Sequence, residues 1–523
     1  MSQTHTSTHT PKQAPESAQV LEQASVKRLF AEADQDYSHI DKEAVVTALK
    51  DALPAAMVLH TDEQLRPYEC DGFMLMTHVP LAVVMPETEA QVVIAMQVCA
   101  RLGVPIVARG AGTGLSGGAL PHPHGVILSL ARLNKIIKID QQARTATVQP
   151  GVRNIQVSQA AEPYGLYYAP DPSSQIACTI GGNIAENAGG VHCLKYGLTV
   201  HNVLRIRGIT INGEIFEVGS HALDTPGYDM MALLIGSEGM LAVVTEVTLK
   251  LTPTPRFAQC ILVSFDDVTK AADAVAGIIA EGIIPAGLEM MDQPATIAAE
   301  EFIRAGYPID AKAMLICESD GTPEEVADEI ARVEAVLNKF GATDIKVSQS
   351  EQERELFWAG RRAAFPAAGR ISPDYLCMDG TIPRKRLGEM LNAITEMEGK
   401  YGLRCLNVFH AGDGNLHPLV LYDSSIEEER LKAQQFGGEI LELSVALGGT
   451  ITGEHGVGVE KINQMCVQFN EDERDIFFAI KEAFDKDALL NPGKAIPTLN
   501  RCAEFGMMHV HGGQIPFPHL PRF

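Results

Sequence analysis

Glycine is concentrated in four clusters, at 110–118, 181–190, 236–239 and 453–458, and this clustering constrains the fold more than any other feature of the chain. A residue without Cβ reaches positive φ freely and lets backbone approach a bound group closely, so consecutive glycines can aim several N–H groups at one point. The first cluster, Arg109-Gly110-Ala111-Gly112-Thr113-Gly114-Leu115-Ser116-Gly117-Gly118, follows the apolar run VPIV and reads as a loop able to cradle phosphate oxygens. Arg109 would strengthen such an anion pocket, and the hydroxyls of Thr113 and Ser116 can donate to it. Gly112, Gly114 and Gly117 match the pattern GxGxxG, but Pro121 follows and no clean helix does, which disfavours a nicotinamide dinucleotide. No GxxxxGK(S/T) occurs, which disfavours a P-loop hydrolase. Taken alone, the loop also reads as a structural turn.

Two further segments change that balance. Pro170-Asp171-Pro172-Ser173-Ser174 precedes CTIGGNIAENAGG at 178–190, where small residues let backbone lie against a flat ring. Asn183 and Asn187 there can satisfy polar ring edges or cap turns. GSEGMLAVVT at 236–245 then runs into a strand. A long dinucleotide bound across all three segments is the economical account.

At 523 residues the chain exceeds a single core, and its 46% hydrophobic content excludes wholesale disorder. The net charge of -24 argues against nucleic acid or an anionic membrane surface as the default partner. No apolar run is long enough to span a bilayer, since VAGIIAEGIIPAGL is broken by Glu281 and Pro285. The first 24 residues form a polar arm with neither the apolar stretch of a secretory signal nor the charge of a mitochondrial presequence, which points to the cytoplasm. Ten cysteines without a CxxC pair speak against an iron–sulfur cluster or zinc ribbon in this chain, and reduced thiols are expected. The closing GMMHVHGGQIPFPHLPRF holds His509, His511 and His519 and reads as an irregular tail.

Hydrophobic periodicity divides the chain into six parts: a polar arm at 1–24, a helical region at 25–56, a many-stranded α+β unit at 57–252, a second unit at 253–450, a segment at 451–496 and the tail at 497–523. PTPRF marks the central boundary. The second unit is expected to be α+β, an antiparallel sheet with helices on one face.

Its chemistry-bearing residues are histidines and acids. In His410-Ala411-Gly412-Asp413-Gly414-Asn415-Leu416-His417-Pro418 the glycines and proline argue for a loop that folds both imidazoles toward one point. Glu454 and His455 lie between Gly453 and Gly456. His410, His417 and Glu454 make a sensible divalent-metal set, zinc or manganese, although a hydrogen-bonded structural cluster remains open. His455 is the candidate for handling a substrate hydroxyl proton, with a further ligand or an orienter as the alternative. Asp413 either holds an imidazole tautomer or caps a turn. Trp358-Ala359-Gly360-Arg361-Arg362 offers guanidinium groups suited to a carboxylate, and Arg370 is a second basic candidate.

Jointly, PIVARGAGTGLSGG, CTIGGNIAENAGG, GSEGMLAVVTEVTLKL, HAGDGNLHP and TGEHGVG resemble the vanillyl-alcohol oxidase/p-cresol methylhydroxylase superfamily, and within it the FAD-linked D-2-hydroxy-acid dehydrogenases, including bacterial glycolate oxidase flavoprotein subunits. The resemblance runs from about Val58 to Lys494. It implies a p-cresol-methylhydroxylase-type FAD domain, a ferredoxin-like substrate or cap domain and a C-terminal return toward the flavin. The cofactor contacts it implies are Arg109, Gly110, Ala111, Gly112, Thr113, Gly114, Ser116, Pro170, Ser174, Gly181, Gly182, Asn183, Asn187, Gly239, Val244, Asn491 and Lys494. Thr113 stands where some relatives attach flavin through histidine, so non-covalent FAD is expected.

The resemblance also implies Arg361 as substrate clamp and a metal at His410, His417 and Glu454. The activity it implies is oxidation of glycolate, with D-lactate as a further substrate. Electrons would pass to a second flavoprotein subunit and an iron–sulfur subunit, which would place the enzyme peripherally at the inner membrane. A stand-alone D-lactate or other D-2-hydroxy-acid dehydrogenase is the rival enzyme, and a catalytically inactive flavin-binding assembly subunit is the rival of another class.

Overall fold

The computed structural model describes residues 36–221 and 227–497. The polar arm, residues 25–35 of the expected helical region and all of the tail beyond residue 497, with its three histidines, lie outside the described residues. The first described helix, Lys42–Ala52, starts at Asp41, whose side chain accepts from the Glu43 N–H, and buries Val45, Val46 and Leu49. Leu53 ends it, with Pro54 next in the chain.

A four-stranded sheet comes next, in spatial order Val58–Leu59, Ala82–Val84, Val126–Ser129 and Ile106–Arg109. Its last three strands are parallel, as the crossover through helix Glu89–Leu102 requires. Thr88 and Gln91 form a reciprocal cap at the start of that helix, and Gly103 at φ 65° ends it. Val92, Ala95, Met96 and Cys99 pack beneath the sheet. The first glycine loop leaves the carboxyl end of the buried strand Ile106–Arg109.

A five-stranded antiparallel sheet follows in the order Ile136–Asp140, Thr145–Val148, Val243–Lys250, Val203–Ile209, Ile215–Gly219. Val148, Ile206 and Val247 share its apolar face with Ile180 and Ile184 of helix Ile180–Glu186. CTIGGNIAENAGG is thus largely helical at its centre: Thr179 caps the N-terminus, and Asn187, at φ 56°, closes the helix in the left-handed region.

The second unit is built on a seven-stranded antiparallel sheet, ordered Asp344–Val347, Phe257–Phe265, Ala313–Gly321, Gly287–Asp292, Cys405–Phe409, Pro418–Tyr422, Asp374–Cys377. Helices cover both of its faces, not one. Ile261, Val263 and Leu315 point toward helices Val268–Ala280, Pro323–Lys339 and Leu387–Tyr401. Cys260, Leu262 and Met314 point the other way, toward helices Gln293–Ile303 and Glu351–Ile371. The reason is legible in the strands: Ala313–Gly321 is buried at eight of nine positions, which a sheet with one wet face would not tolerate.

The chain finally returns to the first sheet. Leu490 pairs in parallel with Ile106, and Leu489 and Leu490 enter the apolar core of that unit. Among the described residues, eight cysteines are free.

Candidate active site

The glycine clusters and the histidine loops meet in one cavity of about 400 Å³. Residues 109–115, 178–179, 181–186 and 237–239 form one side of it; Phe365, His417, Glu454 and His455 come from the other unit. Hydrogen bonds tie the halves together. The Gly189 N–H donates to Glu454 Oε2 at 2.9 Å. The Ser116 hydroxyl donates to the His455 carbonyl at 2.9 Å. The Val457 and Gly458 N–H groups both donate to the Glu238 carboxylate at 2.7 Å. Each of the three FAD-type segments therefore holds part of the loop that carries Glu454 and His455.

His410 and His417 stand at the two feet of a hairpin between strands Cys405–Phe409 and Pro418–Tyr422, which brings their rings to 5.0 Å. His410 Nε2 lies 3.1 Å and His417 Nε2 3.3 Å from the same oxygen, Glu454 Oε1. Burial opposes charge on Glu454, yet the adjacent His410 and His417 imidazoles, the first hydrogen-bonded to it, hold its carboxyl well below the usual range. His455 stacks on His417 at 4.8 Å with rings nearly parallel, and its Nδ1 is occluded without a hydrogen-bond partner. Burial pushes its imidazole down to about 4, so at neutral pH it is uncharged.

Two carboxylates absent from the sequence reading organise this cluster. Glu289, on strand Gly287–Asp292 and 1% exposed, places Oε1 2.7 Å from His410 Nδ1 and accepts from Arg361 Nε at 2.8 Å through Oε2. Asp379, fully buried, accepts from the N–H groups of Gly453, Glu454 and His455, from the Thr452 hydroxyl and from the Lys461 ammonium. Asp379, His417, Glu454 and His455 also offer ligand atoms within 4.8 Å of one another. That set shares His417 and Glu454 with the expected ligands but takes Asp379 and His455 in place of His410, whose Nδ1 is engaged by Glu289; most donors to Asp379 reach its Oδ2, and its Oδ1 lies 3.5 Å from His417 Nε2.

Residues 80–219 match the family model described as "FAD binding domain", and residues 254–495 match "FAD linked oxidases, C-terminal domain". The chain is 60% identical over 484 residues to "Glycolate oxidase subunit GlcD" of Escherichia coli K12, covering 92% of this chain and 97% of that one. It belongs to the FAD-linked oxidase family. The Bacillus subtilis protein of the same name is 40% identical, covering 82% and 91%, and a D-lactate dehydrogenase of Anaerostipes hadrus is 32% identical, covering 79% and 89%. Among solved structures, substrate-bound p-cresol methylhydroxylase superposes with TM-score 0.76 at 19% identity, over 88% of this chain and 99% of that one. A 4-ethylphenol oxidase from Gulosibacter chungangensis gives 0.73 at 16%, with the same coverage. These two likenesses carry the fold.

Within this family's fold, the expected cofactor residues fall into two groups. Gly110, Ala111, Gly112, Thr113, Gly114, Ser174, Gly181, Gly182, Asn183, Gly239 and Val244 line the cavity. Arg109 also borders it, but its guanidinium turns onto the Cys70 and Ala119 carbonyls and bracing the loop occupies it. Ser116, Pro170, Asn187, Asn491 and Lys494 stand behind the wall. Pro170 accepts from the Asn154 amide, Asn187 accepts from the Val200 N–H, and Asn491 donates to the Gly118 and Glu238 carbonyls. The Lys494 ammonium donates to the Gly118 and Leu120 carbonyls and to Asn491 Oδ1, and burial pushes it down to about 7.

The basic candidates separate as well. Arg361 is 2% exposed and, beyond its bond to Glu289, keeps an occluded Nη2 without a hydrogen-bond partner among the described residues. It lines not the first cavity but a second one of about 750 Å³, which shares Ser173 and Arg362 with the first as lining residues. Arg362 pairs with Glu355 at 2.7 Å on the outside. Arg370 lies over the Phe302 ring at 4.6 Å and borders neither cavity. Asp413 accepts from the Asn415 N–H, a turn-capping role, and the carboxylate that orients His410 is Glu289.

Proposed function

We propose that this chain oxidises a small 2-hydroxy acid of the glycolate type to the 2-oxo acid, with FAD as the two-electron acceptor. The observation that carries the reading is the shared cavity: glycine-lined backbone suited to a dinucleotide faces the neutral His455 imidazole together with His417 and Glu454, behind which His410 lies 3.1 Å from Glu454. The relatives' names, glycolate oxidase subunit at 60% and 40% identity, point to the same substrate.

Each residue has a task that its environment supports. The unspent Nη2 of Arg361 is a donor for the substrate carboxylate, while Glu289 fixes the rest of the guanidinium. His455 accepts the hydroxyl proton at its neutral imidazole. His410, His417 and Glu454 would hold a divalent cation, zinc or manganese, which supplies acidification of the substrate hydroxyl. The three glycine segments would hold FAD without a covalent bond, and FAD supplies hydride acceptance from C2.

Electrons then leave for other proteins, a second flavoprotein subunit and an iron–sulfur subunit. The word "subunit" in the relatives' names supports that assignment, as does the lack of any CxxC pair here. No helix among the described residues is long and apolar enough to cross a membrane, so any seat at the inner membrane would come through those partners.

Anaerobic bleaching of the flavin tests the reading, with a panel of glycolate, both lactates, malate and 2-hydroxyglutarate. Glycolate should bleach fastest, and D-lactate more slowly. Failure of every acid with FAD and metal restored would sink the proposal, and faster bleaching by D-lactate would reassign the substrate.

A further inference from the structure

Glu186 is a carboxyl group that the reaction outlined above does not use. It closes helix Ile180–Glu186, lines the shared cavity, and has its Oε2 occluded without a hydrogen-bond partner among the described residues. A second carboxylate, Glu238, reaches the same space. A Cβ placed on Gly118 or on Gly456 would run into Glu186 and would lie 3.6 or 3.1 Å from Glu238.

The two acids differ in how they are served. Glu238 is also raised by burial, but it receives two backbone N–H groups at 2.7 Å, from Val457 and Gly458, which favour its anionic form and make it the better served of the two. Glu186 receives no such donor. The charged groups facing it are Glu238, Asp71, Lys461 and Lys494. Both ammoniums are committed elsewhere, Lys461 to Asp379 and the Gly456 carbonyl, Lys494 to the Gly118 and Leu120 carbonyls and Asn491. Burial, then Glu238, then Asp71 all raise the affinity of Glu186 for a proton, and its carboxyl stands well above the usual range. An anion there would face a second anion without a free counter-charge; an acid has a hydrogen to give to whatever fills the cavity.

We propose that Glu186 is held as an uncharged carboxylic acid beside the anionic Glu238 and donates a hydrogen bond into the cofactor cavity. The inference rests on FAD occupying that cavity and concerns one contact to it.

Infrared difference spectroscopy of the holoprotein, wild type against Glu186→Gln at neutral pH, tests the protonation state without turnover. A protonated-carboxyl C=O band that shifts in deuterated buffer and is missing in the variant is the expected result. Loss of carboxylate bands alone overturns the proposal, even in a protein whose flavin glycolate bleaches. FAD titration of the apoproteins tests the contact. Glu186→Gln, which keeps a neutral donor, should bind within about threefold of wild type, and Glu186→Leu about tenfold more weakly. Equal affinity of the Leu variant, or tenfold loss in the Gln variant, would remove the donor role.

Discussion

Glu289→Gln isolates the role of the carboxylate that joins Arg361 to His410. In the wild type its two oxygens serve a guanidinium at 2.8 Å and an imidazole at 2.7 Å, in a position 1% exposed. Burial opposes its charge, while His410 and Arg361 hold its carboxyl below the usual range. The amide keeps the volume and one acceptor but leaves the Arg361 charge uncompensated. Breaking one partner of a buried pair costs about 3–5 kcal/mol, and the surviving acceptor places this change near the lower end. At about 2–4 °C per kcal/mol for a domain of this size, melting should fall by roughly 6–12 °C. Metal affinity should drop about 10- to 100-fold, because His410 loses the partner that sets its ring and tautomer. Circular-dichroism melting and competition with a chelating dye read the two effects. Glu289→Gln/Arg361→Met should recover part of the lost stability, because the orphaned charge is then gone. A shift below about 0.5 kcal/mol in the single variant, or strict additivity in the double, would refute the electrostatic account.

Other perturbations address the remaining parts of the site. In Gly110→Ala the new Cβ collides with the Thr179 hydroxyl that caps helix Ile180–Glu186, so FAD affinity should weaken about tenfold by equilibrium titration; wild-type affinity would separate that loop from the cofactor. Chelation should abolish flavin bleaching by glycolate while leaving dithionite reduction intact, with zinc or manganese restoring it; full bleaching after chelation would leave the His410, His417 and Glu454 cluster structural. Arg361→Ala should chiefly raise KM and His455→Ala chiefly slow flavin reduction, and equal modest effects on both parameters would undo the two roles. Glu460 has both carboxylate oxygens occluded without a hydrogen bond among the described residues, and burial outweighs the Lys461 ammonium 3.8 Å away to raise it to about 8 from an ordinary 4.5. Its folded pKa is the higher one, so its stabilising contribution is complete below about pH 4.5 and is lost as pH rises through about 8. Across that window wild type should lose up to about 1.4 kcal/mol per pH unit relative to Glu460→Gln, and parallel melting curves would contradict it.

How far such a site can be read from sequence depends on what each residue does with its neighbours. Gly110–Gly118 and Gly236–Gly239 announce themselves because only glycine clusters when backbone must bend tightly or lie close to a ligand. His410 and His417 were visible for a related reason, since glycines between two imidazoles demand a loop, and a hairpin then returns both feet to one place. Helix Glu351–Ile371 escaped the pattern because it is buried along a face interrupted by Arg361, and Pro366 lies inside it. Strand Gly287–Asp292 escaped for the opposite reason: every position is buried, so GLEMMD has no alternation to read. Glu289 in that strand and Asp379 after strand Asp374–Cys377 carry no local signature at all. Each is defined by what it receives from afar, Arg361 and His410 for one, the N–H groups of residues 453–455 for the other. The residues that present chemistry to a ligand were therefore legible as motifs, whereas the acids that aim them exist as a pattern only after the sheet has formed. The same reasoning separates Arg361 from Arg370: both lie on one helix among small residues, and only the register of the missed strand, by placing Glu289 beside one of them, decides which guanidinium is held near the cluster.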